Sequence, residues 1–269
     1  MSPLWRDEVS IYLGPRRLAL ARRSRGVKPK LTANLEISLV SSGDEMPTAL
    51  SRLGELLREP TWQSADARVV FADAWVRFGI VPPASAHLDA EAQRSHARYV
   101  LADLYGDLVS DWQVAIEDAP PGQASVVSAM RSEFMSTLKS MLTPAKLKLV
   151  SAQPHLVVAY NAWRHLLPAD GSWFVVLEDG WLAAVHLLHG KWHKIQMARL
   201  SQDSVVELER IQAFRRLTLS GGENRMFIEA PPRLRDQFRH LASDLEWLEP
   251  SQEEAAPTHE LGLLLRALA

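Results

Sequence analysis

The stretch WFVVLEDGWLAAVHLLHGKWHKIQMARL, residues 173–200, reads as three short strands separated by two turns. Strands over 173–177 and 182–188 flank Asp179-Gly180, and a third over 192–200 follows Gly190; a polar residue and a glycine between apolar runs are hairpin chemistry. A helix over 203–214, with Asp203 as its N-cap, and a strand over 216–219 complete the order βββαβ. The N-terminal segment runs in the same order. Strands over 8–13 and 18–23 pair around Gly14-Pro15, and a third over 31–40 carries Leu31, Ala33, Leu35, Ile37 and Leu39 on one face. A helix over 47–58 follows, with Leu50, Leu53, Leu56 and Leu57 at helical spacing. The near-continuous apolar run over 68–75 predicts a strand buried on both faces. A supersecondary unit used twice implies a fold of two similar halves.

Between the halves, residues 76–145 read as a small α/β insert. It contains strands over 76–81, 112–117 and 124–129 and helices over 89–108 and 131–142. The chain returns through 146–151 and a helix over 154–167. It ends with a helix over 232–242, a short strand near 245–248 and a helix over 258–268. The predicted organisation is therefore 1–75 with 146–168 as the first half, 76–145 as the insert and 169–269 as the second half.

Composition narrows the function classes. The chain has 269 residues, 47% hydrophobic and 23% charged, with net charge -2 and no cysteine. No thiolate metal site, disulfide or cysteine nucleophile is possible, and the balanced charge argues against a general nucleic-acid binder. The apolar runs at 69–72, 156–160 and 261–265 fall far short of the roughly 20 residues of a spanning helix. With Asp7 and Glu8 near its start and no long apolar region there, the chain is expected to be cytoplasmic. Gly-x-Ser-x-Gly, His-Glu-x-x-His and Walker A motifs are absent. His186, His189 and His193 are read as hairpin residues rather than a metal cluster: on a strand, 186 and 189 point to opposite faces, leaving only 189 and 193 to meet across Gly190. Asp103 and Asp107, one helical turn apart, read as a solvated helix face.

Five segments carry a family resemblance: SIYLGPRRLALAR (10–22), RYVLADLYGDLVSDWQVAIED (98–118), WFVVLEDGWLAAVHLLHGKW (173–192), RLTLSGGENRMFIEAPPRL (216–234) and HELGLLLRAL (259–268). In order and placement they resemble the actin/sugar-kinase/heat-shock-ATPase superfamily, and within it the PilM and GspL cytoplasmic proteins of type IV pilus and type II secretion assembly. The resemblance implies an α/β actin-like fold of two ribonuclease-H-like halves, with the small α/β insert in the first. It also implies phosphate-binding hairpins, each with Asp-x-Gly followed by small or hydroxyl residues. Here Tyr12 stands at the first acid position, and Pro15 removes an N–H from the turn after Gly14. In the second hairpin Glu178 replaces the Asp before Gly180, and bulky Trp181 follows. Two readings of the cleft stand at this point. Either the glycines are turn residues and no nucleotide binds, or ATP or ADP is held through Gly221 and Gly222, with Gly14, Glu178 and Gly180 at the phosphates and Glu178 near Mg²⁺. No residue stands as a general base beside an intact phosphate site, so turnover is not expected, and no resident metal is assigned.

The resemblance further implies a non-catalytic scaffold at the inner membrane, binding the cytoplasmic tail of a single-pass partner between the first half and the insert. Residues 68–78 and the helix around 99–105 are the expected walls, and Trp75, Phe78 and Tyr99 the candidate anchors. The segment Arg16 to Lys30 holds seven basic residues and no acid, whereas 244–260 holds six acids and no Lys or Arg. The two segments are either solvated surfaces or face each other within the fold, or else the basic one meets an anionic membrane surface or an acidic partner. The alternatives to the scaffold are an active ATPase or kinase of the same fold, or an actin-type filament. Oligomeric state and the particular machine stay open.

Overall fold

The computed structural model describes residues 6–26, 30–40, 44–83, 88–117, 119–120, 122–169, 171–200, 225–239, 245–249, 262 and 264. The chain has an α/β actin-like fold; the described residues form two five-stranded mixed sheets and a three-stranded antiparallel insert.

The first sheet is built around β1 (Glu8–Leu13). It pairs antiparallel with β2 (Arg17–Arg23), which pairs with β3 (Leu31–Ser38). On its other side β1 runs parallel to β4 (Asp66–Phe71), which runs parallel to β8 (Lys148–Pro154). The order is β3-β2-β1-β4-β8, with β8 at one edge. Alternation along β1 sends Val9, Ile11 and Leu13 into the main core, with Leu50 and Leu53 of helix α1 (Glu45–Leu56). Tyr12 lies in a second cluster, on the face covered by Val158 of helix α4 (His155–Trp163) and by Leu264. Of the expected C-terminal helix only Gly262 and Leu264 are described, both helical; Leu264 is fully buried against the first half.

The second sheet repeats this plan. Strands β9 (Ser172–Glu178), β10 (Trp181–Leu188) and β11 (Lys191–Arg199) form the meander, and β12 (Arg225–Glu229) runs parallel to β9 in the order β11-β10-β9-β12-β13. Helix α5 (Pro232–Arg239) precedes the short strand β13 (Glu246–Trp247). The place beside β9 is thus held by β12, a strand the sequence reading did not assign. The expected helix over 203–214 and strand over 216–219 lie outside the described residues. Every residue of β9 is buried: Trp173, Val175 and Leu177 pack within the second half, while Phe174 and Val176 join the main core of the first.

The insert is β5 (Arg77–Val81), β6 (Trp112–Ile116) and β7 (Ser125–Arg131) in the order β5-β7-β6. Helix α2 (Ala90–Tyr105) covers the face bearing Val81, Trp112, Val127 and Ala129. Helix α3 (Ser132–Leu142) leads back to the first half.

Two boundaries moved for physical reasons. The strand predicted over 68–75 ends at Phe71, and Asp73–Trp75 forms a 3₁₀ turn because the Asp73 carboxylate accepts both its hydrogen bonds from the Leu156 amide. The return segment over 146–151 is a full strand reaching Pro154, since it pairs parallel with β4.

Ile11 is fully buried at the centre of the first sheet and Tyr99 is 73% exposed on α2. In urea unfolding, Ile11→Ala is predicted to lose about 2–5 kcal/mol and Tyr99→Ala less than about 0.5 kcal/mol.

Candidate functional site

The two halves meet where the C-terminal ends of β1 and β4 and the N-terminus of α4 face the β9–β10 hairpin. Glu178, the last residue of β9, projects across this boundary and is 5% exposed. Its Oε1 accepts from the Tyr12 hydroxyl at 3.2 Å and lies 2.6 Å from His155 Nδ1. Its Oε2 accepts from the backbone N–H of Asp73 at 2.8 Å. Asp73 in turn accepts from Leu156 N with both oxygens, at 3.0 and 2.9 Å, in the first turn of α4. A second crossing comes from the last residue of α4, where Trp163 Nε1 donates to Glu229 Oε2 at 2.8 Å. The candidate acid positions of the two hairpins, Tyr12 and Glu178, are therefore in direct contact.

Electrostatics follow from burial. Asp73, His155, Glu178 and Glu229 are all buried, so three carboxyl groups share one imidazole. Burial alone would lower the His155 pKa; the hydrogen bond to Glu178 and the fields of Glu178, Glu229 and Asp73 outweigh it and raise the imidazole from 6.5 to about 9. Burial, then the neighbouring Glu178, pushes Asp73 well above 3.8 against the opposing pull of His155 and the Leu156 amide. Asp73, His155 and Glu178 bring one donor atom each within 4.8 Å of one another, the spacing of a metal site. These donors already engage one another and the Leu156 amide.

The glycines of the two hairpins serve their turns. Gly180 has φ of 81°, the left-handed region, and a Cβ on Gly14 would come within 2.9 Å of the Tyr12 ring. Gly221 and Gly222 lie outside the described residues. Arg17, in the basic segment, is held by Glu36 and by Asp179 across the boundary (3.4 Å), and Arg233 pairs with the same Asp179. The rest of the basic segment turns inward in part. Arg22 pairs with Asp7, and Arg25 with Glu8 and Asp66. These partners come from β1, β4 and the residue before β1, not from the acidic stretch over 244–260.

The candidate anchors are spread over the insert junction. Phe78 is buried in the main core, and Trp75 is half-buried with its ring 5.4 Å from that of Phe134. Tyr99 lies on α2, on the far side of the insert sheet. A groove does lie between the first half and the insert, but its insert wall is the sheet face opposite α2. Phe71, Val76, Ala152 and Pro154 line it from one side and Ala115 and Met130 from the other, around a cavity of about 80 Å³. Strict alternation along β6 and β7 decides this: Trp112, Val127 and Ala129 point to α2, and Gln113, Ala115, Ser128 and Met130 point to the groove. Among the histidines, a bulge after His186 brings its ring 5.9 Å from that of His193, a contact that strand alternation alone did not suggest. His189 sits in the turn with φ of 53°.

No protein-family model matches the chain, and no curated protein matches it in sequence. Solved structures match over nearly its whole length. The PilM component of a PilM–PilN type IV pilus biogenesis complex superposes with a TM-score of 0.65 at 17% identity, covering 97% of this chain and 98% of that one. A Bacteroides thetaiotaomicron protein with an actin-like ATPase fold and unknown function gives 0.64 at 9% identity, covering 98% and 99%. The cytoplasmic domain of EpsL, an inner-membrane component of the Vibrio cholerae type II secretion system, gives 0.58 at 11% identity, covering 97% and 94%. At these identities the likeness is one of fold. No helix among the described residues is long and apolar enough to cross a membrane.

An imidazole raised from 6.5 to about 9 on folding holds its proton more tightly in the native state. The stability it adds is fully present below pH 6.5 and is lost as pH climbs through 9; Asp73, raised above 3.8, loses its share in the same direction. Urea-unfolding free energy is predicted to fall by on the order of 3 kcal/mol over this alkaline window, and His155→Gln to flatten the fall.

Proposed function

We propose that this chain is a non-catalytic assembly scaffold that holds the extended cytoplasmic tail of a single-pass membrane protein in the groove between its first half and its insert. The observation that carries the reading is the groove itself. It is mainly apolar, it lies beside the edge strand β8, and its other wall is an insert sheet with β6 at one edge. An extended peptide satisfies its backbone against such an edge while alternate side chains enter apolar pockets. Phe71, Val76, Met130 and Pro154 offer one such pocket, sized for a side chain. Whole-chain similarity of fold to PilM from a PilM–PilN complex, and to a cytoplasmic domain of a secretion-system membrane component, supports the same reading. A pilus or type II secretion platform at the inner membrane is the setting that follows from it. Trp75, among the sequence-predicted anchors, directly precedes the groove-lining Val76 in the chain.

The test is fluorescence anisotropy with a labelled peptide: the cytoplasmic tail of the single-pass membrane protein encoded beside this chain. Ala115→Arg, at an exposed position of β6 facing the groove, is predicted to weaken binding at least about tenfold, because an unpaired guanidinium then occupies an apolar site. Tyr99→Ala, on the opposite side of the insert sheet, should leave binding unchanged. Equal binding by wild type and Ala115→Arg removes the groove from the function.

A further inference from the structure

The position between the two hairpins has the makings of an oxyanion site, and it is filled. Three donors of the first half converge there: the Asp73 amide, the Tyr12 hydroxyl and His155 Nδ1. They sit at the C-terminal ends of parallel strands β1 and β4 and beside the start of α4, where open α/β sheets hold their anionic ligands. The oxyanion they hold is a side chain of the other half. A nucleotide with Mg²⁺ does not fit this arrangement. Its phosphates would displace Glu178 and add negative charge beside Asp73 and Glu229, both 1% exposed, while Arg17 is committed to Glu36 and Asp179. Tyr12, in contact with Glu178, supplies a hydroxyl where the fold family's metal chemistry calls for an acid.

We propose that Glu178 is a built-in anion: the second half supplies the carboxylate that fills the oxyanion cradle of the first, which fastens the halves together and keeps the cleft closed to diffusible phosphate. Arg17 and Asp179, the next residue along, form an outer fastening at the rim of the same junction. Opening the cleft requires taking Glu178 out of its cradle and leaving the Asp73 amide and the Tyr12 hydroxyl without their acceptor. The cradle belongs to the first half, so it should accept a free oxyanion once the resident carboxylate is removed.

Chemical rescue tests this. Thermal unfolding of wild type and Glu178→Ala is followed in sodium formate, inorganic phosphate and sodium chloride at matched ionic strength. Formate or phosphate is expected to raise the midpoint of Glu178→Ala by about 2–4 °C over chloride and to leave wild type unmoved. An equal response in both proteins, or none in a folded Glu178→Ala, overturns the proposal. Calorimetric titration of wild type with Mg-ATP should give no heat of binding, and tight binding overturns it as well. If Glu178→Ala fails to fold, Glu178→Gln keeps the shape of the side chain without its charge. Hydrogen exchange of the Asp73 amide should then quicken at least about tenfold relative to wild type, as a charge-assisted bond becomes a neutral one; an unchanged rate at Asp73 defeats the idea. None of these results bears on whether the groove binds a tail.

Discussion

A carboxylate at 5% exposure must be paired or neutralised, and Glu178 meets that requirement only by reaching into the other half of the molecule. Its partners are an amide from the turn after β4, a hydroxyl from β1 and an imidazole from the first turn of α4. Each is fixed in turn. The Asp73 turn is tied to α4 through the Leu156 amide, and Tyr12 packs among Ala19, Val70 and Val158. The relative placement of the two sheets thus follows from one buried charge and the three groups that satisfy it, backed by the apolar contact of β9 with the main core.

The same connections serve both regions of interest. Val76 follows the Asp73–Trp75 turn and Pro154 precedes His155, so two groove-lining residues are chain neighbours of the groups that hold or surround Glu178.

Charge is arranged inward. A segment with seven basic residues and no acid contributes Arg17, Arg22 and Arg25 to ion pairs with Glu36, Asp179, Asp7, Glu8 and Asp66. Most of these acids lie on neighbouring strands of one sheet, where hydrogen-bond registry brings Glu8 opposite Arg23 and beside Asp66. Guanidiniums so engaged are poor sources of a free cationic face.

Apolar alternation and turn chemistry in 8–23 and 173–200 determined the two meanders and their repetition, because strand period and hairpin glycines are local properties. The resemblance placed Tyr12 and Glu178 at matching positions of two hairpins, where it implies an Asp in each. Nothing local could show that these two side chains touch, since 166 residues separate them. The sequence reading passed over Asp73 and His155, whose roles depend on β4, β8 and α4 coming together. Which face of the insert lines the cavity, and the pairing of the basic segment with acids from β1 and β4, likewise awaited the sheet order. Sequence set which residues alternate, turn and cap; the tertiary structure alone decided which buried charge meets which donor, because burial and distance are properties of the folded whole.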